Sequence, residues 1–188
     1  KLGFHSWHLV PRSAICDPAL TLGLPPALTA ATGMDAIAHC IETFLAPAFN
    51  PAADGIALEG LRRGWSHIVR ATVDGLDEEA RLNMMTASIH GALAFQKGLG
   101  CVHSLSHSLG GVNPGLHHGT LNAIFLPAVV RFNSEAASVR QEQRLDRLAQ
   151  AMGLSGGDAV ALALAAMVQT LNLPAGLAAL GVVPGQFD

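Results

Sequence analysis

Residues 25–47, which read PPALTAATGMDAIAHCIETFLAP, decide the fold. Pro25 and Pro26 suit the first turn of a helix, where a backbone N–H has no partner within the helix. Pro47 ends the run, because proline cannot continue a helix. Small and apolar residues dominate the stretch in between. It therefore predicts a long apolar helix that reaches about Leu45.

The sequence beyond this stretch follows the same plan of helices joined by short turns. Asn50-Pro51 and Asp77 are predicted N-terminal caps, since Asn and Asp side chains accept hydrogen bonds from the first free N–H groups of a helix. There is no internal repeat and no linker, so residues 1–188 are predicted to form one mainly α-helical domain. The further helices are predicted over residues 51–73, 77–98, 102–109, 118–132, 135–148 and 158–171, with a short one from Leu173-Pro174.

The first 24 residues differ in pattern and are expected to form a lead-in of strand and loop. Residues 12–16, RSAIC, predict a short strand that the turn signal Asp17-Pro18 closes. A single strand cannot satisfy its own edges. We therefore expect it to pair with the residues before it or with a segment outside this chain.

The composition argues against several classes of function. Only 13% of the 188 residues are charged and the formal net charge is −3, so we expect no binding of nucleic acid or of an anionic membrane. The most hydrophobic stretch, residues 159–168, is about half the ~20 residues of a membrane span. The three cysteines are widely spaced and fit a reducing cytoplasm better than a disulfide framework. The low charge also suggests contact with another domain or, in a homo-oligomer, another subunit.

Two groups of histidines point to metal chemistry. Asp35 and His39 are four positions apart and share a helix face, as do His103 and His107, and His117-His118 follows. The ordinary interpretations are a helical Asp–His hydrogen bond and a polar helix with scattered histidines. However, Asp35 and His39 would be costly to bury in an apolar helix without a partner. One carboxylate and three imidazoles suit Fe²⁺ or Zn²⁺, so the sequence predicts a metal site.

Three stretches resemble the iron-containing (group III) alcohol dehydrogenases. Residues 29–42, TAATGMDAIAHCIE, are similar to the first signature of that family, and residues 100–111, GCVHSLSHSLGG, to the second. Residues 118–127, HGTLNAIFLP, are similar to the run that follows. The resemblance implies the helical-bundle C-terminal domain of the family, with a short N-terminal strand segment. Without a Gly-x-Gly-x-x-Gly motif or βαβ alternation, we expect the family's N-terminal dinucleotide-binding domain to be absent from this chain.

The resemblance also implies roles for single residues. Counting back from Asn122-Ala123 assigns His118 as the fourth metal ligand, whereas counting forward from His107 assigns His117. His118 is preferred because the residues after it fix the register of its helix. His107 matches a catalytic position beside the metal that contacts the nicotinamide and the substrate and relays protons. The predicted metal ligands are Asp35, His39, His103 and His118.

The implied activity is metal-dependent alcohol dehydrogenation. A hydride passes between a small alcohol and NAD or NADP, giving an aldehyde or ketone, while Fe²⁺ or Zn²⁺ polarises the substrate oxygen. Glycerol dehydrogenases and maleylacetate reductases are alternatives on the same fold, although the latter have Asn where Asp35 stands. A metal-binding helical module without catalysis and a plain helical bundle are further alternatives. The isolated chain is expected to be inactive without the cofactor domain.

Overall fold

The computed structural model describes residues 6–183 and 185. The mainly α-helical class is confirmed, and the short remaining elements are 3-10 helices. In the described part of the chain the α-helices are α1 (Pro26–Leu45), α2 (Pro51–Val73), α3 (Glu78–Ala94), α4 (Cys101–Val112), α5 (His118–Asn133), α6 (Ala137–Gln141), α7 (Arg144–Met152) and α8 (Val160–Thr170).

Helix α1 is the centre of the bundle. It packs against α2, α3 and α5, which enclose it on several sides. Four of its large apolar side chains are fully buried, and each contributes about 1.5–3 kcal/mol relative to an exposed position. This packing makes α1 a rigid support for the polar side chains that it carries. The buried side chains are Met34, Ile37, Ile41 and Phe44.

Two glycines bring other helices close to α1 beside its polar residues. A Cβ atom at Gly91 of α3 would lie 2.8 Å from the Cβ of His39. A Cβ atom at Gly119, in the first turn of α5, would overlap the backbone carbonyl of Ala31. A larger residue at either position would push its helix away from α1.

Buried cations hold the C-terminal end of α1. Lys97 donates to the carbonyl of Phe44 at 3.0 Å and pairs with Asp54 at 2.5 Å, and Arg144 donates to the same carbonyl. Positive charge is favourable there because the helix dipole places partial negative charge on the last carbonyls. Burial lowers the pKa of Lys97, and Asp54 only partly offsets that effect. The network fixes α2 and α7 against the end of α1.

Two of the predicted elements are wrong. The described residues include no strand, so the strand predicted over residues 12–16 is absent; these residues are exposed and have no neighbouring strand to supply backbone partners. Asp17 instead accepts from the N–H of Ala19 and caps the 3-10 helix Pro18–Thr21. The helix predicted over residues 135–148 is divided into α6 and α7, because Gln143 has a left-handed backbone with φ of 49°.

None of the described helices is by itself long and apolar enough to cross a membrane. Two consecutive segments, Arg144–Met152 and Gly157–Thr170, would together be long and apolar enough for a membrane span, by length and composition only. They are bent by 70° relative to each other.

Candidate metal centre

Helix α1 supplies the carboxylate and the first imidazole of the site. Asp35 and His39 lie on one face of α1, and each side chain is about a quarter exposed. The Nδ1 atom of His39 donates to the backbone carbonyl of Asp35 at 2.8 Å. This bond leaves Nε2 of His39 as the nitrogen with a free lone pair.

Helix α4 supplies a second imidazole, His103, which is buried. Its Nδ1 atom lies 2.6 Å from Oε2 of Glu42, and its Nε2 atom lies 3.5 Å from Oδ1 of Asp35. The ring centroids of His39 and His103 are 4.1 Å apart. Asp35, His39 and His103 each offer one ligand atom, and these atoms lie within 4.8 Å of one another.

The start of α5 separates the roles of the two adjacent histidines. His117 is the N-cap of α5, and its Nδ1 atom accepts from the N–H of Thr120 at 3.4 Å. His118 instead points towards Asp35, with its Nε2 atom 3.6 Å from Oδ1 of that carboxylate. The structure therefore brings His118, and not His117, to the other predicted ligands.

Asn122, one turn after His118, lies where ligand atoms of Asp35, His103 and His118 converge. Its Nδ2 atom lies 2.6 Å from Oδ1 of Asp35, 3.0 Å from Nε2 of His118 and 3.2 Å from Nε2 of His103. The side chain is fully buried, and its Oδ1 atom has no hydrogen-bond partner. One amide nitrogen with two hydrogens therefore faces one carboxylate oxygen and two imidazole nitrogens. Three potential ligand atoms around the positive end of an amide fit a cation-binding site.

A family model independently matches most of the chain. The model of the Fe-containing alcohol dehydrogenase family, C-terminal part, matches residues 29–188. The chain belongs to the Fe-containing alcohol dehydrogenase family.

Three known proteins place the chain within this family. It is 66% identical over 192 residues to a 4-hydroxybutyrate dehydrogenase of Cupriavidus necator. The match covers 100% of this chain and 50% of that relative. It is 40% identical over 191 residues to alcohol dehydrogenase 4 of Saccharomyces cerevisiae, and this match covers 100% of this chain and 49% of that relative. The crystal structure of a sulfoacetaldehyde reductase from Bifidobacterium kashiwanohense in complex with NAD⁺ matches with a TM-score of 0.81 and 30% identity, over 90% of this chain and 44% of that one. The chain thus spans about half the length of these relatives.

The electrostatics of this Fe-containing alcohol dehydrogenase domain favour a cation. Burial alone would lower the pKa of His103, but the carboxylates of Asp35 and Glu42 outweigh it and raise that pKa to about 9. Burial would raise the pKa of Asp35, yet the His103 hydrogen bond, the His39 charge and Asn122 together lower it. The cluster therefore keeps a carboxylate charged and attracts positive charge.

His107, the predicted catalytic residue, lies beside the cluster and not within it. Its ring centroid is 4.9 Å from that of His118 and 6.0 Å from that of His103, and the residue is exposed. This position at the rim is consistent with the resemblance, which placed it next to the metal without coordinating it.

Glu42 and Asn122 were not among the predicted site residues, although they lie within residues 29–42 and 118–127, which resemble the family's motifs. Glu42 follows Asp35 by seven positions and His39 by three, so all three share a helix face. That spacing could have indicated Glu42. Asn122 follows His118 by four positions and shares its face in the same way.

Proposed function

We propose that this chain is the metal-binding half of an alcohol dehydrogenase that uses NAD or NADP. Two observations support the proposal. Ligand atoms of Asp35, His39 and His103 lie within 4.8 Å of one another. The Nδ2 atom of Asn122 lies close to Asp35, His103 and His118, which adds His118 to the same region. Such a donor set is of borderline hardness and suits Fe²⁺ or Zn²⁺. The proposed ligands are Asp35, His39, His103 and His118.

The bound metal would supply Lewis-acid polarisation of the substrate oxygen. The residues of this chain would provide the rigid geometry: Asp35 and His39 on the buried helix α1, and His103 and His118 at the starts of α4 and α5. His107, exposed at the rim of the cluster, would exchange a proton with the substrate or with solvent. The nicotinamide would be supplied by an N-terminal dinucleotide-binding domain of the full-length gene product.

We further propose a primary alcohol with a carboxylate, such as 4-hydroxybutyrate, as the substrate. The 66% identical relative, a 4-hydroxybutyrate dehydrogenase, supports this choice. Maleylacetate reduction is the less favoured alternative, because Asp35 is a charged carboxylate at the centre of the cluster.

The test is an assay of the full-length gene product for reduction of NAD⁺ or NADP⁺ with 4-hydroxybutyrate and with butan-1-ol. We expect activity that requires metal, and a higher kcat/KM for 4-hydroxybutyrate. Asp35→Asn should lower kcat/KM by about 1,000-fold or more, because it removes the charged ligand. Asp158→Asn makes the same chemical change at an exposed position and should have no effect.

Two results would contradict the proposal. Full activity in Asp35→Asn would exclude the site. Tight metal binding without oxidation of any alcohol would favour a metal-binding module that is not an enzyme.

A further inference from the structure

Glu42 is a buried carboxylate of α1 that binds the start of another helix. Its Oε1 atom accepts from the N–H of Val102 at 2.7 Å. Its Oε2 atom accepts from the N–H of His103 at 3.2 Å and from Nδ1 of the same residue at 2.6 Å. The residue is 3% exposed, so water does not compete for these bonds. Three N–H groups from α4 therefore converge on one carboxylate.

Glu42 replaces the cap that α4 lacks. The N-cap residue of α4 is Gly100, which has no side chain to accept from the first free N–H groups. A carboxylate at this end is favourable, because the helix dipole places partial positive charge there. A Cβ atom at Gly100 would lie 2.6 Å from Oε1 of Glu42, so a glycine is needed for the carboxylate to approach.

The same carboxylate determines which nitrogen of His103 faces the ligand cluster. A carboxylate only accepts hydrogen bonds, so Nδ1 of His103 carries the hydrogen in the bond to Glu42. Nε2, which lies 3.5 Å from Oδ1 of Asp35, is then the nitrogen that would give up its proton and offer a lone pair when a metal ion binds. Ring orientation, tautomer and helix position are all set by one side chain.

We propose that Glu42 is a positioning residue of the metal centre, which directs Nε2 of His103 towards the metal and anchors α4 to α1. This inference rests on the proposed function, since it assumes that His103 is a ligand. Hydrogen-bond partners of this kind raise the basicity of a ligating imidazole and fix its direction. Metal affinity should therefore depend on Glu42, although Glu42 is not itself a ligand.

The test is the zinc affinity of the purified chain, measured by competition with a chelator. Glu42→Gln keeps the size of the side chain but turns one acceptor oxygen into a donor, so at least one of the three N–H groups must lose its partner. We expect the Kd for zinc to rise by roughly 10- to 100-fold. Glu59→Gln makes the same change on α2, away from the described cluster, and should leave the Kd unchanged. In a His103→Ala background Glu42→Gln should have no further effect, because Glu42 acts through His103.

A second variant covers the case in which Glu42→Gln does not fold. Gly100→Ala leaves the charge of Glu42 intact but displaces its carboxylate, and it should weaken zinc binding in the same way. Gly111→Ala, on the same helix with no neighbouring atom within 4 Å of the new Cβ, is its control.

Each outcome has a distinct meaning. If the wild-type chain binds no zinc, the proposed function fails. If wild type binds zinc and Glu42→Gln or Gly100→Ala binds it equally well, the role of Glu42 is refuted while the function stands. An equal loss with and without His103 would also refute it, because the effect would then be a general one on folding.

Discussion

His117 and His118, at the start of α5, should differ in what their replacement changes: His118→Ala should weaken metal binding, and His117→Ala should lower stability. His118 points at Asp35, and its loss removes one of four ligands. A four-ligand zinc site contributes about 10–16 kcal/mol of apparent binding free energy, so one ligand accounts for about 2.5–4 kcal/mol. His118→Ala should therefore weaken zinc binding by about 60- to 700-fold.

His117→Ala should act on stability and leave metal affinity nearly unchanged. His117 caps α5 through a long hydrogen bond of 3.4 Å, and loss of a cap costs about 0.5–2 kcal/mol. We expect the lower part of that range, with a zinc Kd within about threefold of wild type.

The assay has three parts: zinc competition titration, urea unfolding of the metal-free chain, and thermal unfolding with and without zinc. Saturation at 100 times the Kd adds about 2.7 kcal/mol of stability to wild type, which corresponds to an increase in Tm of roughly 5–10 °C. That increase should survive in His117→Ala and shrink in His118→Ala at the same zinc concentration. Equal affinity losses, or the larger loss in His117→Ala, would refute the assignment.

Three further predictions concern the interior. Asn122→Leu removes the donor at the centre of the cluster and should destabilise the metal-free chain by about 1–3 kcal/mol in urea unfolding; an unchanged stability would mean that the amide does not hold these groups together. Lys97→Met leaves Asp54 with only a weaker cationic partner and should cost about 3 kcal/mol, whereas the exposed Arg62→Met should cost less than about 1 kcal/mol; equal losses would contradict this difference. Burial raises the pKa of Cys40 to about 12, so a thiol reagent at pH 8 should modify the two exposed cysteines rapidly and Cys40 only on unfolding; three fast thiols would contradict the burial.

Signals that lie within one turn of a helix were predictable from the sequence. Asn50 and Asp77 each accept from a backbone N–H three residues ahead, at 3.1 and 2.9 Å, so the cap and its helix are neighbours in sequence. Proline ends α1 for the same local reason. The spacing of Asp35 and His39 likewise predicted a shared face, and the structure has it.

Features that depend on distant partners were not predictable in this way. Glu42 meets α4 60 positions further along the chain, and Asn122 meets Asp35 across 87 positions. The choice between His117 and His118 depended on the length of a loop, and the orientation of the two rings separates them in the structure. The strand expected over residues 12–16 required a neighbour that the described residues do not provide.

The most direct test of the metal centre is X-ray absorption spectroscopy at the zinc edge of the zinc-loaded chain. The proposed site predicts a first shell of nitrogen and oxygen at about 2.0–2.1 Å, with outer-shell scattering from three imidazole rings. A sulfur ligand at about 2.3 Å would implicate a cysteine, and a shell without imidazole would show that the three histidines do not bind the ion. Either result would contradict the account.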